Sequence, residues 1–320
     1  YPTIEEFTAK TKVSVKYLED YNDNDEFYGK VQGQLKLKKD IGYDLICPTD
    51  WMAARYIRLG YAEKLDKANI PNAKNIIPSL ASVPFDTNRD YSLTWQGIMG
   101  GFTWNKEKLP KGIHTLEELF APANKGKIEV LTEPRDTVGV IMMAQGVDIT
   151  KFTKDQYYNA LDFLQKKIAD GFIRQVKGND YKEDLISGDA VAVIGWSGDI
   201  NQLNLQNGNR FGFAIPESGG TFSTDNLMIP VTSPNKAAAE ALINYYYDPV
   251  VAATVANYIT YICPVNGAQA AMAKINPANV HNTLIFPDAG MWNNLHIFRN
   301  LSTAEQINFS NSFQKVSGNA

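Results

Sequence analysis

Cysteine is scarce in this sequence: there are two in 320 residues, Cys47 and Cys263, each directly before a proline at the end of an apolar run. Two such thiols leave open either a pair of buried cysteines or one disulfide, and they exclude a disulfide-built scaffold. Histidine is nearly as rare, and His114, His281 and His296 do not fall at metal-ligand spacing, so neither a metal site nor a cofactor is expected. No apolar run approaches the ~18 residues that span a bilayer, and no signal peptide is recognisable at the start. A basic excess is also missing. The net charge is -4 with Lys and Arg scattered along the chain, which argues against a nucleic-acid surface. Gly-x-Ser-x-Gly, Ser-His-Asp, Cys-His and phosphate-binding glycine patterns are all absent. What remains of catalysis is a hydrolase with paired carboxylates, which needs a defined separation and unequal pKa values.

What is present is a globular composition, 44% hydrophobic and 21% charged, in a chain long enough for about two domains. Helix and strand patterns alternate. "PTIEEFTAKT" reads as a helix, and "KVSVKYLED" as a strand in which Val13, Val15 and Tyr17 alternate. "NDNDEFYGKVQGQLKL" opens with capping residues and runs into a helix, and "YDLICP" is a short buried strand. The second half repeats the theme: "KIEVLTEP" as strand, "RDTVGVIMMAQG" and "QYYNALDFLQKKIADG" as helices, "AVAVIGWSGD" as buried strand. Such alternation predicts an α/β fold with parallel sheets and crossover connections. Glycine and proline are spread evenly, so two domains would be joined by ordered strands rather than by a flexible linker.

Strands repeatedly end in polar or aromatic residues: "ICPTDW", "LTWQG", "VLTEPRD", "VIGWSGD", "TDNL" and "TYICPVN". In open α/β sheets ligands sit at the carboxyl ends of strands. These loops offer aromatic faces at Trp51, Trp95, Trp196 and Tyr261 and carboxylates at Glu133, Asp136 and Asp225. That combination suits ammonium groups on a methylene chain, because rings cover methylenes and attract cations while each carboxylate takes an ammonium. Duller roles compete. A Trp after a strand is often core packing, and Glu133 and Asp136 flank Pro134 at a helix start, where the dipole favours acids anyway. Arg135 is placed to neutralise either of them, Asp225 could cap a turn, and Asp50 reads as a helix cap.

The series "YDLICPTDWMAARYIRLGYAEKLD", "DYSLTWQG", "LTEPRDTVG", "AVAVIGWSGD", "IPESGGTFSTDNLMIP" and "YICPVNGA" resembles the spermidine/putrescine-binding proteins of bacterial ABC importers over nearly the whole chain. The resemblance implies a type II periplasmic-binding-protein fold, two α/β lobes with a ligand cleft between them. Lobe I would be residues 1–100 plus 225–265, and lobe II residues 101–224 plus 266–320. It implies that Thr49, Trp51 and Tyr261 line the first lobe, with Trp95 beside the hinge. Glu133, Asp136 and the stacking Trp196 belong to the second, and Asp225 is the central carboxylate. Ser223 stands where the polyamine binders carry a second stacking Trp. Tyr1-Pro2 already belongs to the first helix, where relatives begin with a short strand. The implied function is capture of a polyamine outside the cytoplasm and delivery to a membrane permease by a monomer, without covalent chemistry. A lipid anchor, where there is one, would lie upstream of Tyr1. The runner-up ligand is a compact amine or amino acid such as 4-aminobutyrate, with Arg135 taking its acid group.

Overall fold

A computed structural model of the chain describes residues 2–19, 21 and 23–318. In chain order the elements are α1 (Pro2–Thr11), α2 (Asn24–Lys36), α3 (Asp50–Arg58), β1 (Ser92–Asn105), α4 (Leu116–Leu119), β2 (Ile128–Leu131), α5 (Pro134–Ala144) and α6 (Lys154–Ala169). They continue with β3 (Ile173–Lys177), α7 (Tyr181–Ser187), β4 (Ala192–Trp196), α8 (Ser197–Asn207), β5 (Phe211–Ala214) and β6 (Gly220–Met228). The chain ends with α9 (Lys236–Tyr246), α10 (Pro249–Ile259), α11 (Ala268–Ile275), α12 (Ala289–Asn293), β7 (Leu295–His296) and α13 (Thr303–Ser317). Two compact units result. The first ends at Gly97 and resumes over Thr224–Phe286; the second takes Ile98–Ser223 and the chain from Pro287 on. The chain changes unit inside β1, inside β6 and again after Phe286.

In the first unit α2 starts at Asp23, whose side chain accepts the Glu26 amide at 2.8 Å. Its apolar residues Phe27, Tyr28, Val31 and Leu35 recur at three- and four-residue spacing and bury one face against Met52 and Tyr56 of α3. A second core gathers Ile243 and Tyr247 from α9 and its end, Ala252 and Ala256 of α10, and Met272 of α11. Strand pairing here is short: Ile46 with Met228, Ala62 with Pro230, and Gly97 with Ile262. The strand expected at Val13, Val15 and Tyr17 does not form. Residues 12–19 have no regular structure, Val13 and Val15 are half-buried, and Tyr17 and Leu18 are exposed. Alternation alone does not make a strand, because an extended segment gains its ladder bonds only from a neighbour. "YDLICP" likewise contributes a single bridge at Ile46 rather than a strand.

The first unit also runs past the switch expected at residue 265. Ala268 and Met272 of α11 are fully buried in its core, and the Cys263 amide donates to Ile285 O at 3.0 Å, which holds the chain there to Phe286. Cys263 and Cys47 are both free thiols.

In the second unit the strand order is β3-β2-β4-β1-β6-β7, with β5 also on β1. Pairing is mixed: β2 is parallel to β3 and β4, and β6 to β7, whereas β1 is antiparallel to β4 and β5. The all-parallel expectation fails at β1, which lies inside the sheet between β4 and β6 and is antiparallel to β4 and β5. Period-two alternation sorts the side chains onto two cores. Phe102, Trp104, Ile128, Val130 and Ile194 pack with α5 and α6; Leu131 and Val193 pack with Tyr181, Leu185 and Ile200.

Candidate functional site

In the first unit the polar centre is built where β6 meets the start of α3. Thr49 is the N-cap of α3 and bridges Asp225 in the antiparallel sense, which sets their side chains together. Thr49 Oγ1 donates to Asp225 Oδ1 at 2.8 Å and accepts from Asn24 Nδ2 at 2.9 Å. The Thr49 amide donates to Asn24 Oδ1 at 3.1 Å, and the Tyr21 hydroxyl donates to the same oxygen at 3.1 Å. One face of β6 thus carries a half-buried carboxylate held by a three-residue relay. The opposite face is fixed by Arg89, 4% exposed, whose guanidinium donates to Asn226 Oδ1, Thr94 Oγ1 and Leu80 O.

The Tyr21 ring stands beside this centre, and the predicted aromatics of the first unit pack elsewhere in it. Tyr21 stacks on Phe27 with centroids 4.4 Å apart, and its hydroxyl pKa is pushed far up by burial, then by Tyr56 and the Asp225 charge. The Cys47 thiol is raised by burial and then by Asp225, so it faces the carboxylate as a neutral group. Trp51 is half-buried against the α2–α3 core, and Trp95 against the α9–α11 core, with its carbonyl accepting from the Tyr246 hydroxyl. Tyr261, half-buried, sits at a bend just before Ile262, which exchanges both backbone bonds with Gly97 at 2.9 and 3.0 Å.

In the second unit Glu133 is the N-cap of α5, and its Oε1 accepts the Arg135 amide at 3.2 Å. The same oxygen lies 3.4 Å from Arg135 Nη1, with both side chains mostly buried. Arg135 also donates to Gln306 Oε1 and lies 5.9 Å from the Phe298 ring centroid. Asp136, one helical position further, is 4% exposed. Its Oδ2 accepts the Trp196 indole N–H at 2.8 Å and its Oδ1 accepts the Thr221 hydroxyl. Burial raises its pKa, opposed by those two hydrogen bonds. Trp196 is gripped again at its main chain, whose N–H donates to the Tyr181 hydroxyl at 3.2 Å. The Tyr181 ring meets the indole at 61° and 6.1 Å, and its hydroxyl is anchored on Asp199 Oδ2 at 2.8 Å. Ser223, half-buried, lies two residues beyond Thr221 and so shares its face of β6.

Residues 3–282 match the family of bacterial extracellular solute-binding proteins. The chain belongs to this family. The spermidine/putrescine-binding periplasmic protein of Escherichia coli strain K12 is 29% identical over 300 residues, covering 91% of this chain and 82% of that protein. Among solved structures, the PotD substrate-binding protein of Streptococcus pneumoniae superposes with a TM-score of 0.81 at 20% identity, covering 99% of this chain and 95% of that one. The Tp0655 (TpPotD) lipoprotein of Treponema pallidum gives 0.83 at 19% identity, covering 98% and 95%. The fold is therefore that of the periplasmic binding proteins.

In this solute-binding protein the predicted residues are distributed unevenly in role. Thr49 and Asp225 touch, as do Asp136 and Trp196, whereas Glu133 is joined to Arg135 rather than to Asp136. Asn24, Tyr21, Thr221 and Tyr181 went unforeseen. The run "NDNDE", whose first residue lies outside the described residues, reads as helix-capping residues, yet Asn24 turns its amide onto Thr49. Thr221 could have been found, since it lies four residues before Asp225 in an extended run and so on the same face. A cavity of about 220 Å³ in the first unit is walled by Leu65, Ile70, Ala73, Ile76 and Leu93 and includes none of the predicted residues. Among the described residues there is no group of three metal-ligating side chains, and no helix is long and apolar enough to cross a membrane.

Proposed function

We propose that this chain is the extracytoplasmic solute-binding component of an ABC importer and that it captures a linear polyamine, spermidine or putrescine, for delivery to a membrane permease. The observation that carries the reading is the half-buried Asp225 carboxylate, oriented by Thr49 and Asn24 beside the Tyr21 ring. A carboxylate already held by hydroxyl and amide donors loses little freedom when an ammonium arrives, and the charge-assisted bond is correspondingly strong. Tyr21, Trp51 and Tyr261 in the first unit, and Trp196 in the second, are the rings suited to the methylenes between ammonium groups. Glu133 is the acid proposed for the second unit, with Arg135 tempering its charge. The spermidine/putrescine-binding periplasmic protein of Escherichia coli supports the ligand class and a binding role.

Calorimetric titration with spermidine, putrescine and 4-aminobutyrate at low and physiological salt tests this. One-to-one binding of a polyamine that weakens with salt is expected. Binding of 4-aminobutyrate alone would replace the ligand, and a product detected by mass spectrometry after incubation would replace the binding role with an enzymatic one.

A further inference from the structure

Asp136 has both of its carboxylate oxygens committed inside the protein. Trp196 Nε1 and Thr221 Oγ1 each donate to a different oxygen, and the residue is 4% exposed. The surrounding backbone is shaped for this arrangement. Gly100 pairs with Trp196 across the β1–β4 ladder. A Cβ at Gly100 would run into the Thr221 hydroxyl and come within 2.8 Å of Asp136 Oδ1, so the close triangle of Asp136, Thr221 and strand β1 exists only because glycine stands there. Trp196 for its part has a single side-chain donor and two side-chain torsions. Its main-chain N–H is fixed on Tyr181, so the indole bond to Asp136 sets the plane of the ring.

We propose that Asp136 is a positioning residue, fixing the Trp196 indole as a rigid wall, and that it is not a carboxylate that binds a ligand ammonium. The inference rests on the polyamine reading for its binding assay, although its structural half does not. A buried acid with each oxygen already accepting from a neutral donor has little to offer a cation without giving those donors up. The second unit then presents an aromatic face and one acid, Glu133, already joined to Arg135. Selectivity there follows the carbon chain of the ligand more than its charge.

The test uses the full chain with ¹⁵N-labelled tryptophan. Trp196 is one of five tryptophans, and its indole resonance is assigned by its loss in Trp196→Phe. In ligand-free protein, Asp136→Ala should move that resonance to the position of an indole bonded only to water. It should also weaken putrescine binding about tenfold, the equivalent of one well-made hydrogen bond. Asp136→Asn keeps an acceptor for the indole and turns its amide N–H toward the Thr221 oxygen, so it should restore the resonance and recover most of the lost affinity. Thr221→Val, which keeps the volume, should shift the resonance in the same direction by less and gives the answer should Asp136→Ala not fold. The proposal is overturned if Asp136→Asn binds as weakly as Asp136→Ala while its indole resonance is normal, because the charge itself would then be what the ligand needs. It is equally overturned if neither Asp136→Ala nor Thr221→Val moves the resonance. If the wild-type chain binds no polyamine, the functional reading fails, and the ligand-free resonances still decide the role of Asp136.

Discussion

Asp225 in the first unit and Asp136 in the second are the same residue type in two different settings. Asp225 is half-buried and accepts the neutral Thr49 hydroxyl, itself backed by the Asn24 amide. Asp136 is fully enclosed and accepts from a hydroxyl and an indole on its two oxygens. On the proposed reading, the difference in burial and in neutral donors is what separates a ligand acid from a positioning one. The comparison breaks first under substitution by asparagine. Asp225→Asn removes the charge where an ammonium is proposed to meet it, and should cost about 2–5 kcal/mol of polyamine affinity. Titration of both asparagine variants should give opposite outcomes, a severe loss at Asp225 and a mild one at Asp136. Equal losses would erase the distinction.

Glu129 sharpens the same lesson with a third case, an enclosed acid that lacks enough donors. It is 0% exposed on β2, its Oε1 meets Arg174 at 2.8 Å, and its Oε2 finds no donor. Burial raises its pKa to about 7, helped by the bond to Asp184 and opposed by Arg174. Lys177, Asp180 and Asp189 complete the charges around it, each paired with Arg174 or with another member of the group. The folded state therefore keeps a proton that the unfolded chain releases near pH 4.5. Stability contributed by this group is intact below about 4.5, declines as pH rises through the interval to about 7, and is lost above it. Glu129→Gln copies the protonated form. It should be more stable than the wild type at pH 8, on the order of 2 kcal/mol, and match it at pH 4.5. Thermal melts at the two pH values check this, and an advantage that persists at the acid value would refute the assignment.

A smaller effect is expected behind Asp225. Thr49→Val removes the hydroxyl that joins Asn24 to the carboxylate while preserving volume. Binding should weaken by about 1 kcal/mol, roughly fivefold, the usual net worth of one hydrogen bond. A titration showing no change would mean that Asp225 is oriented by β6 alone.

Much of this was legible in the sequence, for particular reasons. Helices α2, α5 and α6 were visible because their apolar residues recur at helical spacing and their starts carry capping side chains, Asp23, Glu133 and Thr153. Asp225 and Thr49 stood out as polar residues next to apolar strand-like runs, although Asp225 lies inside β6 rather than in a loop. The strand at Val13 to Tyr17 was misread because alternation says nothing about whether a partner exists. The switch at residue 265 was misplaced because membership of α11 depends on the burial of Ala268 and Met272 against α10, a packing fact with no local signal. The partners of Asp136 were not legible for a related reason. Its donors Trp196 and Thr221 lie 60 and 85 residues away in sequence, and only the sheet brings them together.

The smallest expected effect concerns Ser223, which lies on the face of β6 that also carries Thr221. On the proposed reading, a serine there leaves Trp196 as the ligand-facing ring of the second unit. Ser223→Trp adds a π-face to a half-buried position, where a cation is attracted by about 0.5–1 kcal/mol, so polyamine affinity should rise about two- to fivefold. The gain should be larger for spermidine than for 4-aminobutyrate, because the longer chain has more methylenes and charge to lay against the ring. If Trp196 is the rigid wall that Asp136 makes it, the gain at Ser223→Trp should shrink in the Asp136→Ala background, since two rings clamp a chain only when both are held. A double-mutant cycle on those two positions measures that coupling directly, and additive effects would mean that the two faces act on the ligand independently.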